Sequence, residues 1–202
     1  MDADPVQLRV LGCLIEKQRT TPDVYPLSLN ALRLACNQAT NRDPVVDYDE
    51  PTIRSALERL SNRQWARLAS GPGSRAVKYR HLFDEALGLS DAELSLLAVL
   101  MLRGPQTVGE LKGRTERLHR FESLPQVDET LNGLASRELV ARLGRRPGQK
   151  EERWAHLLGG EEEQAEEALQ ARSDLEERVE QLEAQVAQLR RLLESERPRQ
   201  SP

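Results

Sequence analysis

Residues 51–83 and 125–158 are two versions of one segment. Ile53, Leu57 and Leu60 fall on Val127, Leu131 and Leu134, and Arg63 falls on Arg137. With one extra residue in the second copy, Pro72-Gly73 falls on Pro147-Gly148, and Tyr79, His81 and Leu82 fall on Trp154, His156 and Leu157. Upstream, Leu8, Val10, Leu11, Cys13 and Leu14 share spacing with Leu94, Leu96, Leu97, Val99 and Leu100. Leu29 and Leu32 match Val108 and Leu111, each pair following a hydroxyl residue, Ser28 or Thr107. Three apolar patterns and a Pro-Gly turn kept in one order mark an internal duplication, and a duplicated chain must build one supersecondary plan twice.

Each copy predicts three helices and a hairpin. Helix one is expected over 6–18 and again over 90–103, each with one buried apolar stripe. Ser90 and Glu93 have the spacing of a capping box, and Gly104-Pro105 ends that helix. Helix two opens at Ser28 or Thr107. Helix three carries the apolar triplets inward. A strand over 65–68 or 139–143 then turns through Pro-Gly and returns over 76–81 or 151–156. The expected fold is mainly α (α+β), two tandem winged-helix (helix-turn-helix) domains over 1–86 and 87–158.

Residues 159–202 read differently, as a Gly-Gly linker and a C-terminal coiled-coil helix. Leu175, Val179, Leu182, Val186, Leu189 and Leu193 step by four and three, and valine at two of the three a positions with leucine at d favours a parallel homodimer. The alternative is a tail that folds back or frays.

Net charge is −4. Divided along the chain it is +1 over 1–88, +1 over 89–158 and −6 over 159–202. The acidity lies in the tail, so the repeats are near neutral and open to a polyanion. Cys13 and Cys36 sit in apolar helical patterns and are expected to be reduced. His81, His119 and His156 have no cysteine partners at ligand spacing, so no metal or cofactor is expected. The longest apolar stretch is far too short to span a bilayer, and the first residues lack a signal pattern, so the expected location is cytoplasmic with no membrane partner.

The blocks EKQ, TPDVYPLSLN, ACNQ and NRDPV, followed in order by LRGPQTVGELKGR and KYRHLF, resemble the bacterial YceH-type proteins over about residues 5–158. The resemblance implies a tandem winged-helix fold. It implies no reaction, cofactor or ligand, and it does not extend to the tail.

The helix-three face of copy one offers Thr52, Arg54, Ser55, Arg59, Asn62 and Arg63, with Arg75 and Lys78 on its wing. Arginine holds phosphate or guanine edges and asparagine reads adenine. Glu58 sits among them, so a solvated mixed face is the plain alternative. Copy two places Asp128, Glu129 and Asn132 on helix three and puts its positive charge in the wing, at Arg145, Arg146 and Lys150, which suits backbone clamping at most. The long loop from Asn37 to Glu50 is expected to be ordered, either structural, with Arg42 paired to Asp43 or a nearby acid, or recognising a partner through Asn41 and Arg42. Pro22 and Pro26 predict a fixed turn with Tyr25 as its anchor, and the repeated histidines predict packing roles. No nucleophile elbow, phosphate loop or dinucleotide fingerprint occurs, and no carboxylate pair is patterned for acid–base work, so no catalysis is expected. The expected function is double-stranded DNA binding of transcription-regulator type. Its rival is a protein-interaction adaptor. A ligand between the domains is conceivable, but no residue cluster in the sequence argues for one.

Overall fold

The computed structural model describes residues 2–69, 77–144 and 151–159. These form a mixed α/β fold of seven helices and small antiparallel sheets. The tail heptads, and with them the expected dimer seam, lie outside the described residues.

The first repeat opens with α1 (Pro5–Thr20). Asp4 caps it: its carboxylate accepts from the Gln7 amide at 2.9 Å, and the Gln7 side chain accepts from the Asp4 amide. Lys17 and Arg19 occupy the last turn, where cations suit the helix dipole. The chain then passes a 3₁₀ turn (Pro22–Val24), β1 (Leu27–Ser28) and α2 (Leu29–Cys36), whose N-cap is Ser28. Tyr25 anchors the turn: its hydroxyl accepts from the His81 amide at 2.8 Å. Next come α3 (Glu50–Asn62), β2 (Ala66–Leu68) and β3 (Lys78–His81).

A short α4 (Phe83–Leu87) leads into the second repeat. There α5 (Asp91–Arg103) starts at Ser90 with the expected capping box to Glu93. It is followed by α6 (Val108–Thr115), α7 (Leu124–Ser136), β4 (Val140–Leu143) and β5 (Arg153–His156). Thr107 and Glu110 make another capping box at α6.

The inward triplets are buried as the spacing predicts: Ile53, Leu57, Leu60, Val127, Leu131 and Leu134 all lie in the core. Side chains of this size stabilise by about 1.5–3 kcal/mol each when fully buried. Both third helices end alike. Gln64 and Glu138 take left-handed backbone, with φ of 59° and 56°. The amides of Trp65 and Leu139 reach back to the carbonyls of Leu60 and Leu134, at 2.9 and 3.1 Å. This is a Schellman end without the glycine that favours it.

Three features differ from the sequence expectation. The hairpin of the first repeat is part of a three-stranded sheet, order β1-β3-β2, because Leu27 pairs with Tyr79. In the second repeat Gln106 pairs with Trp154 at the equivalent place. A two-residue strand carries no readable periodicity. Next, α4 was not expected. Lastly, the first helices do not bury one stripe only: every residue from Gln7 to Ile15 and from Leu94 to Leu102 is buried.

The reason is that α1 and α5 pack on each other between the repeats. A Cβ on Gly12 would meet Leu102 Cγ at 2.9 Å, so glycine permits the close approach. The Asp43 amide donates to the Leu102 carbonyl at 2.9 Å, and Arg19 pairs with Asp91. Residues Met1–Gly160 thus form one compact unit with a continuous core. Its first and last strands of backbone meet, the Ala3 amide donating to the Leu158 carbonyl at 3.0 Å.

The long loop is ordered by buried arginines. Arg42, on the loop, donates to both carboxylate oxygens of Glu16, to the carbonyls of Ala35 and Asn41 and to Gln38. Arg9, a buried cation the sequence reading did not single out, donates to the carbonyls of Cys36 and Pro44. The Asn37 side chain closes the loop, donating to the Tyr48 carbonyl and accepting from the Tyr48 amide. Cys13 and Cys36 are free and buried beside these arginines. The Cys36 thiol is held well above its ordinary range by its hydrogen bond to Cys13 and by burial. No described helix is long and apolar enough to cross a membrane, and no described His, Cys, Asp or Glu cluster suits a metal.

Candidate nucleic-acid interface

The third helix of the first repeat is started by Asp49, which accepts from the Thr52 amide at 2.9 Å, and by Pro51 in its first turn. These hydrogen bonds from Thr52 hold the Asp49 carboxyl below its usual value. Thr52 therefore serves the helix end.

The remaining predicted contacts divide onto two flanks. Arg59 pairs with Asp4 at 2.9 Å and donates to Ser55 Oγ at 2.7 Å. Arg63 donates to the Asp2 carbonyl, and its guanidinium lies 5.4 Å from the Trp65 ring centre. Both arginines are thus held by the segment leading into α1. In the second repeat Arg137 does the same work, reaching the Leu87 carbonyl and Glu93 ahead of and within α5. The repeated arginine that the alignment identified is a structural tie in both copies.

Arg54 occupies the other flank, exposed, with exposed Asn62 near the helix end. Among the described residues neither side chain makes a hydrogen bond or ion pair, and nor does that of Arg67 on β2. Lys78 lies half-buried at the start of β3. Arg75, Arg145, Arg146 and Lys150 lie outside the described residues.

Between α3 and β2 lies a groove of about 210 Å³, lined by Arg54, Leu57, Glu58, Arg67, Leu68 and Tyr79. Leu68 is 62% exposed. The second repeat closes the same place. There Arg142, at the position of Leu68, lies 4.8 Å from the ring centre of Trp154, the counterpart of Tyr79. It donates to Asp128 at 3.4 Å, Asn132 at 3.4 Å and Glu152 at 3.3 Å. Asp128 and Asn132 stand where the first repeat has Arg54 and Glu58. Among the described residues the first face keeps two arginines without pairs, and the second holds its one strand arginine against its own acids. The sequence reading listed the acids of the second face and missed Arg142, whose strand position only acquires meaning once the hairpin register is known.

His81 and His156 end the two hairpins. Burial pushes both down to about 4; for His81 the nearby Asp84 acts in the opposite sense. His81 Nε2 lies 2.6 Å from Gln18 Oε1, which accepts from it. Burial thus disfavours the charged form of both rings, while Asp84 lies 3.3 Å from His81 Nδ1.

A family model described as a protein of unknown function, DUF480, matches residues 3–149, across both repeats. The chain belongs to this family. A UPF0502 protein of Serratia proteamaculans is 46% identical over 198 residues, covering 94% of this chain and 92% of the relative. Another UPF0502 protein, from Citrifermentans bemidjiense, is 53% identical over 169 residues, covering 83% and 78%. The UPF0502 protein YceH of Escherichia fergusonii is 45% identical over 200 residues, covering 94% and 93%. DUF480 membership agrees with the resemblance read from the sequence blocks. It brings no substrate or partner with it.

Proposed function

We propose that this DUF480 chain is a tandem winged-helix protein that binds double-stranded DNA through one of its two faces, as a non-catalytic cytoplasmic regulator paired through its tail. The observation that supports it best is the contrast between the repeats. Arg54, Asn62 and Arg67 of the first repeat form no internal pairs among the described residues, whereas in the second repeat Asp128, at the position of Arg54, is paired by Arg142. A face with unpaired guanidinium groups beside a third helix suits phosphate and groove edges. Arg59 and Arg63 are committed to the N-terminal segment and contribute less. The test is fluorescence anisotropy of the full chain on a random duplex pool at low salt, with sequencing of retained DNA. Arg54→Glu is expected to weaken binding at least about tenfold, and more as salt falls. Retention of no duplex at low salt removes this reading.

A protein-docking reading is favoured by one observation. Leu68, on the groove, is 62% exposed, and Val77, just before β3, is 53% exposed, and exposed apolar surface suits a protein partner. Capture from lysate that survives nuclease and fails in Leu68→Asp supports that reading over the first.

A further inference from the structure

A second cavity lies where the repeats meet, of about 240 Å³. The first repeat supplies Glu16, Thr20 and Asn41, and the second supplies Arg103, Arg114 and Arg117. Residues far apart in sequence converge here only because α1 packs on α5, so no sequence pattern announces the cluster.

The charge is unbalanced. The lining carries three guanidinium groups, those of Arg103, Arg114 and Arg117, against one carboxylate, Glu16. Glu16 is already held by Arg42, with Lys17 at 3.7 Å. Glu110 pairs with Arg114 at 3.4 Å. Arg103 donates to Asn41 Oδ1, and Asn41 holds left-handed backbone with φ of 61°. Arg117 is exposed and makes no hydrogen bond or ion pair among the described residues. Burial first, and then the charges of Arg114 and Arg42, hold Arg103 below its ordinary value.

We propose that this cavity binds a small phosphomonoester, with Arg103, Arg114 and Arg117 on its phosphoryl oxygens. Two uncompensated positive charges match a phosphomonoester dianion, and the guanidinium fork matches its oxygens. Val99, Leu102 and Leu118 also line the cavity and give a small organic remainder an apolar wall. The volume lies below the roughly 300–1,000 Å³ of drug-sized pockets, so the remainder is small. Such a ligand would be held by the second repeat's arginines at the place where Glu16, Thr20 and Asn41 of the first repeat close the cavity. This inference does not depend on the DNA reading.

The test is isothermal titration of the full chain with glycerol 3-phosphate and with inorganic phosphate, against chloride at matched ionic strength. Saturable binding of glycerol 3-phosphate is expected. Arg117→Gln should weaken it about tenfold or more with unchanged thermal unfolding, since that side chain supports nothing else. Gly113→Glu is a second variant. A Cβ at Gly113 meets open space, and the added carboxylate at the cavity lining should abolish binding while the helix is retained. A short DNA duplex, titrated into the same variants, separates a free anion from a backbone phosphate. Retained duplex affinity in Arg117→Gln with lost glycerol 3-phosphate affinity supports the proposal. Absence of saturable phosphate binding, or binding that neither variant weakens, overturns it. So does an effect of both variants on duplex alone.

Discussion

Arg42 donates to both carboxylate oxygens of Glu16, at 3.1 and 2.6 Å, from a side chain with no exposed surface. The pair ties the long α2–α3 loop to α1. Removing the acid leaves a buried guanidinium with carbonyl and amide partners only. Glu16→Ala is expected to cost about 3 kcal/mol, read as a lower urea midpoint with unchanged slope. A loss under about 1 kcal/mol, the range of surface pairs, would show that water reaches Arg42.

Gln64 and Glu138 occupy the left-handed position that ends their third helices. An L-residue there costs about 1 kcal/mol that glycine does not. Gln64→Gly and Glu138→Gly should therefore each raise stability by up to about 1 kcal/mol, additively because each ends its own helix and their amides bond different carbonyls, Ser61 and Ala135. Alanine at either position should give no gain. Thermal unfolding of the single and double variants checks this.

His81 and His156 are both pushed down to about 4 by burial. The fold keeps them neutral while the unfolded chain takes up protons below about 6.5. The unfolded state thus binds more protons between about pH 6.5 and 4. Stability should fall as pH drops through that window and level off below it, by up to about 3 kcal/mol for each histidine. Denaturation at pH 7.5 and 5.5, above most carboxylate titration, isolates the effect. His156→Gln should flatten the dependence; an unchanged slope would mean that water reaches the ring.

Gly12 faces Leu102 Cγ at 2.9 Å and Met101 Cβ at 3.4 Å from where a Cβ would sit. Any larger residue gains helix propensity, worth less than about 1 kcal/mol for valine. It must also push α5 away, and overpacking costs about 1–3 kcal/mol. Gly12→Val should lower stability by about 2 kcal/mol net. Leu102→Ala in the same chain should recover part of that, which a double-mutant cycle would measure as coupling.

The elements were legible because their signals are local. Ser28, Ser90 and Thr107 cap where a short polar side chain precedes an apolar run, and the triplets on α3 and α7 face inward because their spacing follows the helical period. The third-helix ends were less legible, since Gln64 and Glu138 stand where glycine is the usual marker. Surfaces were legible in composition only. Arg54, Arg59 and Arg63 look alike in sequence, yet their positions around α3 and the approach of Asp2 and Asp4 decide which remain unpaired. The Arg103, Arg114 and Arg117 cluster was invisible for the same reason, because it depends on one repeat lying against the other.

The meeting of Ala3 with Leu158 carries a topological consequence. The compact unit closes on itself, so its order along the chain is one of several that would serve. A short linker from Gly159 to Ala3, with new ends opened at residue 144 between β4 and β5, yields a circular permutant. Adjacent ends of this kind tolerate such rewiring. In that permutant the second repeat's hairpin no longer joins covalently, and whether β5 still finds β4 would tell how far each copy folds as a unit of its own.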